Sequence, residues 1–352
     1  MHIVRVDKLK PGMRLARPVF SPDGGLLLAT GVVLQESYIR RLAQLGYLAV
    51  YIGDPEESYE GEVLAPEIQA KATAAVAKAF SAARLGATID FGQLKDVAAA
   101  IVEEVVKNRD IVPGLGSIMS FDSYTFSHSV NVCVMSVSVG LAMGLNIPMA
   151  NELAMGALLH DIGKVLVGPD IIQSPTGLTA AEWEEVKRHP EYGFDLLRRN
   201  HQVSARVAHV AYQHHERIKG QGYPRKLRGD EIHLFARIVA VTDSYDAMTA
   251  DRVYRSGRQP FDALQVIRSL KGIEYDPEVV DALLASTVPY PLGAMVQLSS
   301  GEIGTVVEVC TENKKRPVVR LQYAPDGNQI SPPREIDLRR EPRLEILGLV
   351  IA

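Results

Sequence analysis

The spacing of hydrophobic and polar positions changes character twice along the chain. In the first stretch Val4 and Val6 alternate with charged neighbours, Pro11-Gly12 breaks the run, and Asp23-Gly24 marks a hairpin turn ahead of Leu26 to Leu28. Ile39, Leu42 and Leu45 then share one helical face closed by Gly46, and Leu48 to Ile52 reads as a strand. These elements predict a small N-terminal α+β module over residues 1–60, followed by a solvated acidic run from Asp54 to Glu62. Over 61–113 the period becomes helical, with one stripe at Ile68, Ala72, Val76 and Phe80 and a second at Leu94, Val97, Ala98, Ile101 and Val105. Such stripes suit linker helices packed on a neighbouring domain or a homodimer interface, and the pattern does not choose between them. The helical texture continues through 114–287. After Pro289 the alternation returns at Val296 and Leu298, Val307 and Val309, and Val319, Leu321 and Tyr323, with turns at Ser300-Gly301 and Asp326-Gly327. A small C-terminal antiparallel β module over 288–352, barrel-like if closed, follows. The fold class is mainly α.

Composition narrows the class of protein. Hydrophobic residues make up 47% and charged residues 23%, as in ordinary globular domains. The net charge of -4 leaves no basic surplus for a nucleic-acid polymer. Cys133 and Cys310 are far apart in apolar settings, which predicts buried free thiols rather than a disulfide or thiolate metal site. Ser129 to Ala150 carries no charge and is long enough for a membrane span, yet it contains Asn131, Ser136, Ser138, Asn146 and Pro148. A buried core helix accounts for it better. The opening MHIVRVDKLKPG lacks the apolar core of a signal peptide, so a cytoplasmic protein without a membrane span is expected.

The chemistry concentrates in the helical segment. His160-Asp161 ends the apolar run ALLHDIGK, and Lys164 lies about one turn on, so an imidazole, a carboxylate and an ammonium share one neighbourhood. His189 precedes Pro190, which fixes it at a helix entrance. His214 and His215 open HHERIKGQGYP, whose glycines let backbone approach a bulky ligand. Asp243 sits among Val239, Val241 and Tyr245, costly to bury unless paired or bound to metal, with Asp246 one turn further on the same face. His128 stands at the head of the uncharged helix. Singly, each residue has an ordinary structural explanation. Five histidines and two aspartates in this order within one helical domain suggest a metal between them.

His128, His160-Asp161, Lys164, His189, His214-His215, Gly222-Tyr223-Pro224 and Asp243 together resemble the signature of HD-GYP domains, metal-dependent phosphohydrolases that degrade cyclic di-GMP. The resemblance covers roughly 114–287 and makes this the catalytic, helical HD-type domain between the two small modules. It implies that His128, His160, Asp161 and Asp243 hold one divalent metal ion, with Asp161 bridging to a second held by His189, His214 and His215. Iron or manganese is the implied pair, with zinc, nickel, cobalt or magnesium as alternatives. Lys164 would contact the scissile phosphate or leaving oxygen and, with Asp161, form the catalytic pair. Gly222, Tyr223, Pro224, Asp246, Arg252 and Arg255 would face the dinucleotide. Three positions depart from the family: Lys219 replaces a usual aspartate, Val253 a common proline, and Tyr124 a glutamate that in some members helps bind a third metal. Two metals are therefore expected.

The implied reaction is attack of a metal-activated hydroxide on phosphorus, giving linear pGpG and, by a second cut, GMP. Two other readings remain open: a sensor that binds cyclic di-GMP with weak catalysis and signals through a protein partner, and a phosphohydrolase for another nucleotide such as cyclic GMP-AMP.

Overall fold

The computed structural model describes residues 2–21, 24–47, 49–53, 63–108, 124–172, 177–250, 258–290, 293–310 and 313–350. The N-terminal module contains β1 (His2–Arg5), β2 (Val19–Phe20), β3 (Leu26–Leu28), α1 (Glu36–Gln44) and β4 (Ala49–Ile52). β1 pairs antiparallel with β4 and β2 with β3. Val4, Val6, Leu15, Leu34, Leu42, Val50 and Ile52 form a core separate from the rest. Gly46, at φ +76°, ends α1 where a side chain would be strained.

Next come α2 (Pro66–Arg84) and α3 (Phe91–Lys107), the latter capped by Asp90, which accepts from the Gln93 N–H at 3.0 Å. Their apolar stripes are buried against α4 (Tyr124–Ala142) and α5 (Ile147–Leu159). These stripes are therefore covered within the chain. The uncharged segment folds as two helices turned at Gly144 (φ +86°), with Asn146 capping α5. Both pack in the core, and no described helix is long and apolar enough to cross a membrane.

The helical domain continues with α6 (Pro169–Ile172), α7 (Ala180–Val186), α8 (His189–Arg198), α9 (Ala205–Gln213), α10 (Leu234–Thr249), α11 (Pro260–Ser269) and α12 (Pro277–Ser286). One hydrophobic cluster runs from Val63 through Leu283, so α2 and α3 share the core of the domain that follows them. Cys133 and Cys310 are buried and unbridged.

β5 (Met295–Leu298), β6 (Ile303–Glu308), β7 (Val318–Tyr323), β8 (Gln329–Asp337) and β9 (Ile346–Leu349) form one antiparallel sheet in the order β8-β7-β6-β5-β9. Among the described residues β8 and β9 do not pair, so the sheet is open where a barrel would close. Its apolar face is covered instead by Tyr290 and by Phe261 of α11.

Candidate metal centre

His128 lies in the second turn of α4. His160 ends α5, and Asp161 leads into a 3-10 turn over Ile162–Leu166 that carries Lys164. His189 opens α8, His214 and His215 follow α9, and Asp243 projects from α10. Packing brings all seven together in two groups, Asp161 with His189, His214 and His215, and His128 with His160 and Asp243. Within each group one donor atom per residue lies within 4.8 Å of every other. The close approach of the 3-10 turn to α8 depends on Gly163, where a Cβ would fall 2.0 Å from the His189 carbonyl oxygen and 2.5 Å from the Gly193 nitrogen.

Four imidazoles are aimed by their Nδ1 atoms. His160 Nδ1 is 2.7 Å from the Ala157 carbonyl, His189 Nδ1 2.6 Å from that of Val186, and His214 Nδ1 3.0 Å from that of Ala211. His128 Nδ1 is 2.6 Å from Asp246 Oδ2. Carbonyls only accept, so in the neutral rings of His160, His189 and His214 the proton sits on Nδ1 and the Nε2 lone pair faces inward. His189 Nε2 and His214 Nε2 consequently confront each other at 3.2 Å without a proton to share. Among the described residues the buried His160 Nε2 and Asp161 Oδ1 find no hydrogen-bond partner. Buried lone pairs gathered this way are costly unless a cation meets them, so the donor set fits divalent metal.

The electrostatics agree. Burial lowers the His214 pKa to about 4 and that of His215 well below the usual value, keeping both rings neutral near pH 7. Burial opposes ionisation of Asp161, but Lys164 and His160 outweigh it and hold the carboxyl well below the usual range. Asp243 is held down in the same sense, burial again being outweighed by its hydrogen bond to His128 and by nearby imidazoles. Lys164 Nζ donates to Asp161 Oδ2 and stays partly exposed.

The loop after His215 forms one wall. The Tyr223 ring stacks on His215 at 4.7 Å between centroids, 22° from parallel, and its N–H donates to the His215 carbonyl at 3.2 Å. A Cβ on Gly222 would lie 2.4 Å from both the His215 oxygen and the Arg217 nitrogen, so only glycine fits. Pro224 is half-buried beside it. Glu216, buried and unnoticed in the sequence, accepts from the Arg225 and Leu227 N–H groups at 2.7 and 2.9 Å and ties the loop down. Lys219 is exposed, and its backbone pairs antiparallel with that of Arg228 across the loop.

Asp246, expected to face the dinucleotide, is 2% exposed and lies with Oδ2 2.6 Å from His128 Nδ1. Arg252, Arg255 and Val253 lie outside the described residues, as does the side chain of Tyr124.

Residues 120–279 match the HD domain family, and 295–351 match the KOW domain associated with HD domain. A cyclic di-GMP phosphodiesterase of Pseudomonas aeruginosa is 36% identical over 77% of this chain and 65% of its own length. A 3′3′-cGAMP-specific phosphodiesterase of Vibrio cholerae is 36% identical over 49% of this chain and 38% of its own. The chain therefore spans less than two thirds of the length of these curated relatives. An HDG"Y"P protein from Bdellovibrio bacteriovorus shares the fold, with a TM-score of 0.52 at 18% identity over 80% of this chain and 97% of that one. With the Gly222-Tyr223-Pro224 loop beside its histidine and aspartate cluster, residues 120–279 form an HD domain similar to these phosphodiesterases.

Proposed function

We propose that this protein is a metal-dependent phosphodiesterase that hydrolyses cyclic di-GMP to linear pGpG. The observation that carries the reading is the pair of buried donor groups joined at Asp161, whose Oδ1 lies 3.3 Å from His189 Nε2 while Oδ2 lies 3.4 Å from His160 Nε2. Divalent cations bound there would lower the pKa of a water and place positive charge against the phosphoryl oxygens. A histidine and carboxylate set without cysteine suits iron or manganese. Lys164 in this reading donates to a phosphoryl oxygen or the departing 3′ oxygen, supported by its partial exposure at the edge of the cluster. Tyr223, half-buried on His215, offers a flat apolar surface for a base, and Arg252 and Arg255 supply bidentate donors to the outer phosphate.

Purified protein is expected to carry close to two metal ions per chain and to convert cyclic di-GMP to pGpG. Elemental analysis after anaerobic preparation, with product assays on cyclic di-GMP and 3′3′-cGAMP side by side, tests both points. Loss of metal without loss of turnover would sink the mechanism, and turnover confined to 3′3′-cGAMP would move the substrate to that of the Vibrio cholerae relative.

Asp246 acts through His128 in this scheme. A carboxylate behind a ligating imidazole fixes its tautomer and raises its basicity, and losing such a partner weakens metal binding about 10–100-fold. Asp246→Asn is expected to show that loss in a metal titration, with turnover restored at high metal. An unchanged titration with a raised KM would return Asp246 to the substrate.

A further inference from the structure

Arg217 lies at the base of the loop that carries Tyr223, two residues after His215. Its side chain is 17% exposed and turns back on its own chain, where Nη1 donates to the His214 carbonyl at 3.3 Å and to the Glu216 carbonyl at 3.0 Å. The guanidinium sits 5.0 Å from the centre of the Tyr275 ring, and Nε is 3.5 Å from Glu274 Oε2. The backbone is joined at the same place, since the Ile218 N–H donates to the Glu274 carbonyl at 3.0 Å. The turn between α11 and α12 thus holds the loop base through two adjacent residues. It also holds the helix that bears Asp243. The hydroxyl of Tyr275, a residue only 5% exposed, donates to Ser244 Oγ of α10 at 2.8 Å, and Ser244 Oγ donates in turn to the Ala240 carbonyl. One buried side chain therefore touches α10 with its hydroxyl and the loop base with its ring.

The Tyr223 wall is built on this base. The Gly220 N–H donates to the Arg217 carbonyl at 2.7 Å, and Gly222 passes so close to the Arg217 nitrogen that a Cβ would lie 2.4 Å from it. Burial raises the pKa of the Tyr223 phenol and the Asp161 charge adds to the rise, whereas the Arg217 charge opposes it, so the guanidinium is felt at the ring. Glu216 closes the loop on itself through the Arg225 and Leu227 N–H groups, while Arg217 and Ile218 join the closed loop to the rest of the domain. We infer that Arg217 is a positioning residue that, together with Tyr275, sets the Tyr223 wall against the Asp243 helix and thereby tunes affinity for the dinucleotide. The inference rests on the phosphodiesterase reading. The His214 ring is aimed from within α9 by the Ala211 carbonyl, so the influence of Arg217 is expected in substrate affinity and not in metal content.

The test uses the full chain with its metals. Arg217→Met keeps the length of the side chain and removes its donors and charge, whereas Arg217→Lys keeps a charge and a donor. With charge-assisted bonds to two carbonyls lost, Arg217→Met is expected to raise KM for cyclic di-GMP about ten-fold, with kcat within about two-fold of wild type. Metal content and turnover of bis(p-nitrophenyl) phosphate, a small diester without bases, should stay at wild-type level, and Arg217→Lys should recover most of the KM. Tyr275→Phe keeps the ring and drops the hydroxyl, which is expected to raise KM about three-fold. Because the two residues form one tie, the double variant should match Arg217→Met instead of the product of the two effects. An unmoved KM in Arg217→Met would overturn the inference, as would loss of metal or a parallel fall in both activities, which marks a purely structural role. Should Arg217→Met fail to fold, the KM of Tyr275→Phe decides by the same criterion. Absence of cyclic di-GMP turnover in the wild type would overturn instead the reading on which the inference rests.

Discussion

Asp161→Ala is expected to lower cyclic di-GMP turnover by more than about 10^3-fold, equivalent to about 4 kcal/mol of transition-state stabilisation, while leaving the helical circular dichroism intact. The reasoning is geometric. Asp161 is the carboxylate whose two oxygens divide between the donor groups, Oδ1 toward His189 and His214 and Oδ2 toward His160 and Lys164. Its loss removes a donor from one group, a bridge to the other, and the anchor of Lys164. Metal content is expected to fall below one ion per chain. His160→Ala removes a donor from one group only and should retain about one ion with equally low turnover. Elemental analysis, circular dichroism and product assay on the same samples check all three statements. Wild-type turnover in either variant would refute the ligand assignment.

The second large effect comes from a residue with no functional group. Gly163→Ala would drive a methyl group into the backbone of α8, 2.0 Å from the His189 oxygen, where neither partner is a flexible side-chain end. Overpacking of this kind costs about 3 kcal/mol, and relief of the strain is expected to move Asp161 away from His189. Metal content is expected to drop from two ions toward one, held by His128, His160 and Asp243, and the urea midpoint should fall. Gly168→Ala is the matched control, since its new Cβ meets nothing closer than 3.9 Å. If Gly163→Ala kept two ions and the wild-type midpoint, the tight approach of the 3-10 turn to α8 would not be needed for the site.

What the sequence reveals here follows from what periodicity encodes. The stripes at Ile68 to Phe80 and Leu94 to Val105 reappear as buried faces, because a 3.6-residue repeat reports directly on which side of a helix meets a core. The seven candidate metal-site residues stood out because their side-chain chemistry is costly to bury without a counterpart. The partner of Asp246 was not legible for a related reason. Its spacing from Asp243 reports a shared helix face, but not that His128, 118 residues away, would take up its carboxylate. Glu216 and Gly163 left no periodic trace, since each is defined by backbone groups that only the folded chain brings near. The contact of Gln259 with Leu349 spans 90 residues and joins two kinds of structure, so no local pattern contains it.

The open sheet of the C-terminal module also governs how other chains can approach it. An unpaired strand is a template for a further strand, and proteins guard against this by removing donors or covering the rim. β8 presents Pro332 and Pro333, which have no N–H to offer, flanked by exposed Arg334 and Glu335. At the opposite rim the Leu349 N–H of β9 is already taken by Gln259. Both margins are thereby poor templates for recruitment, which protects a module with nine residues of largely exposed β8 from stacking onto its own kind. Recognition of this module through its side chains is thereby favoured over extension of its sheet.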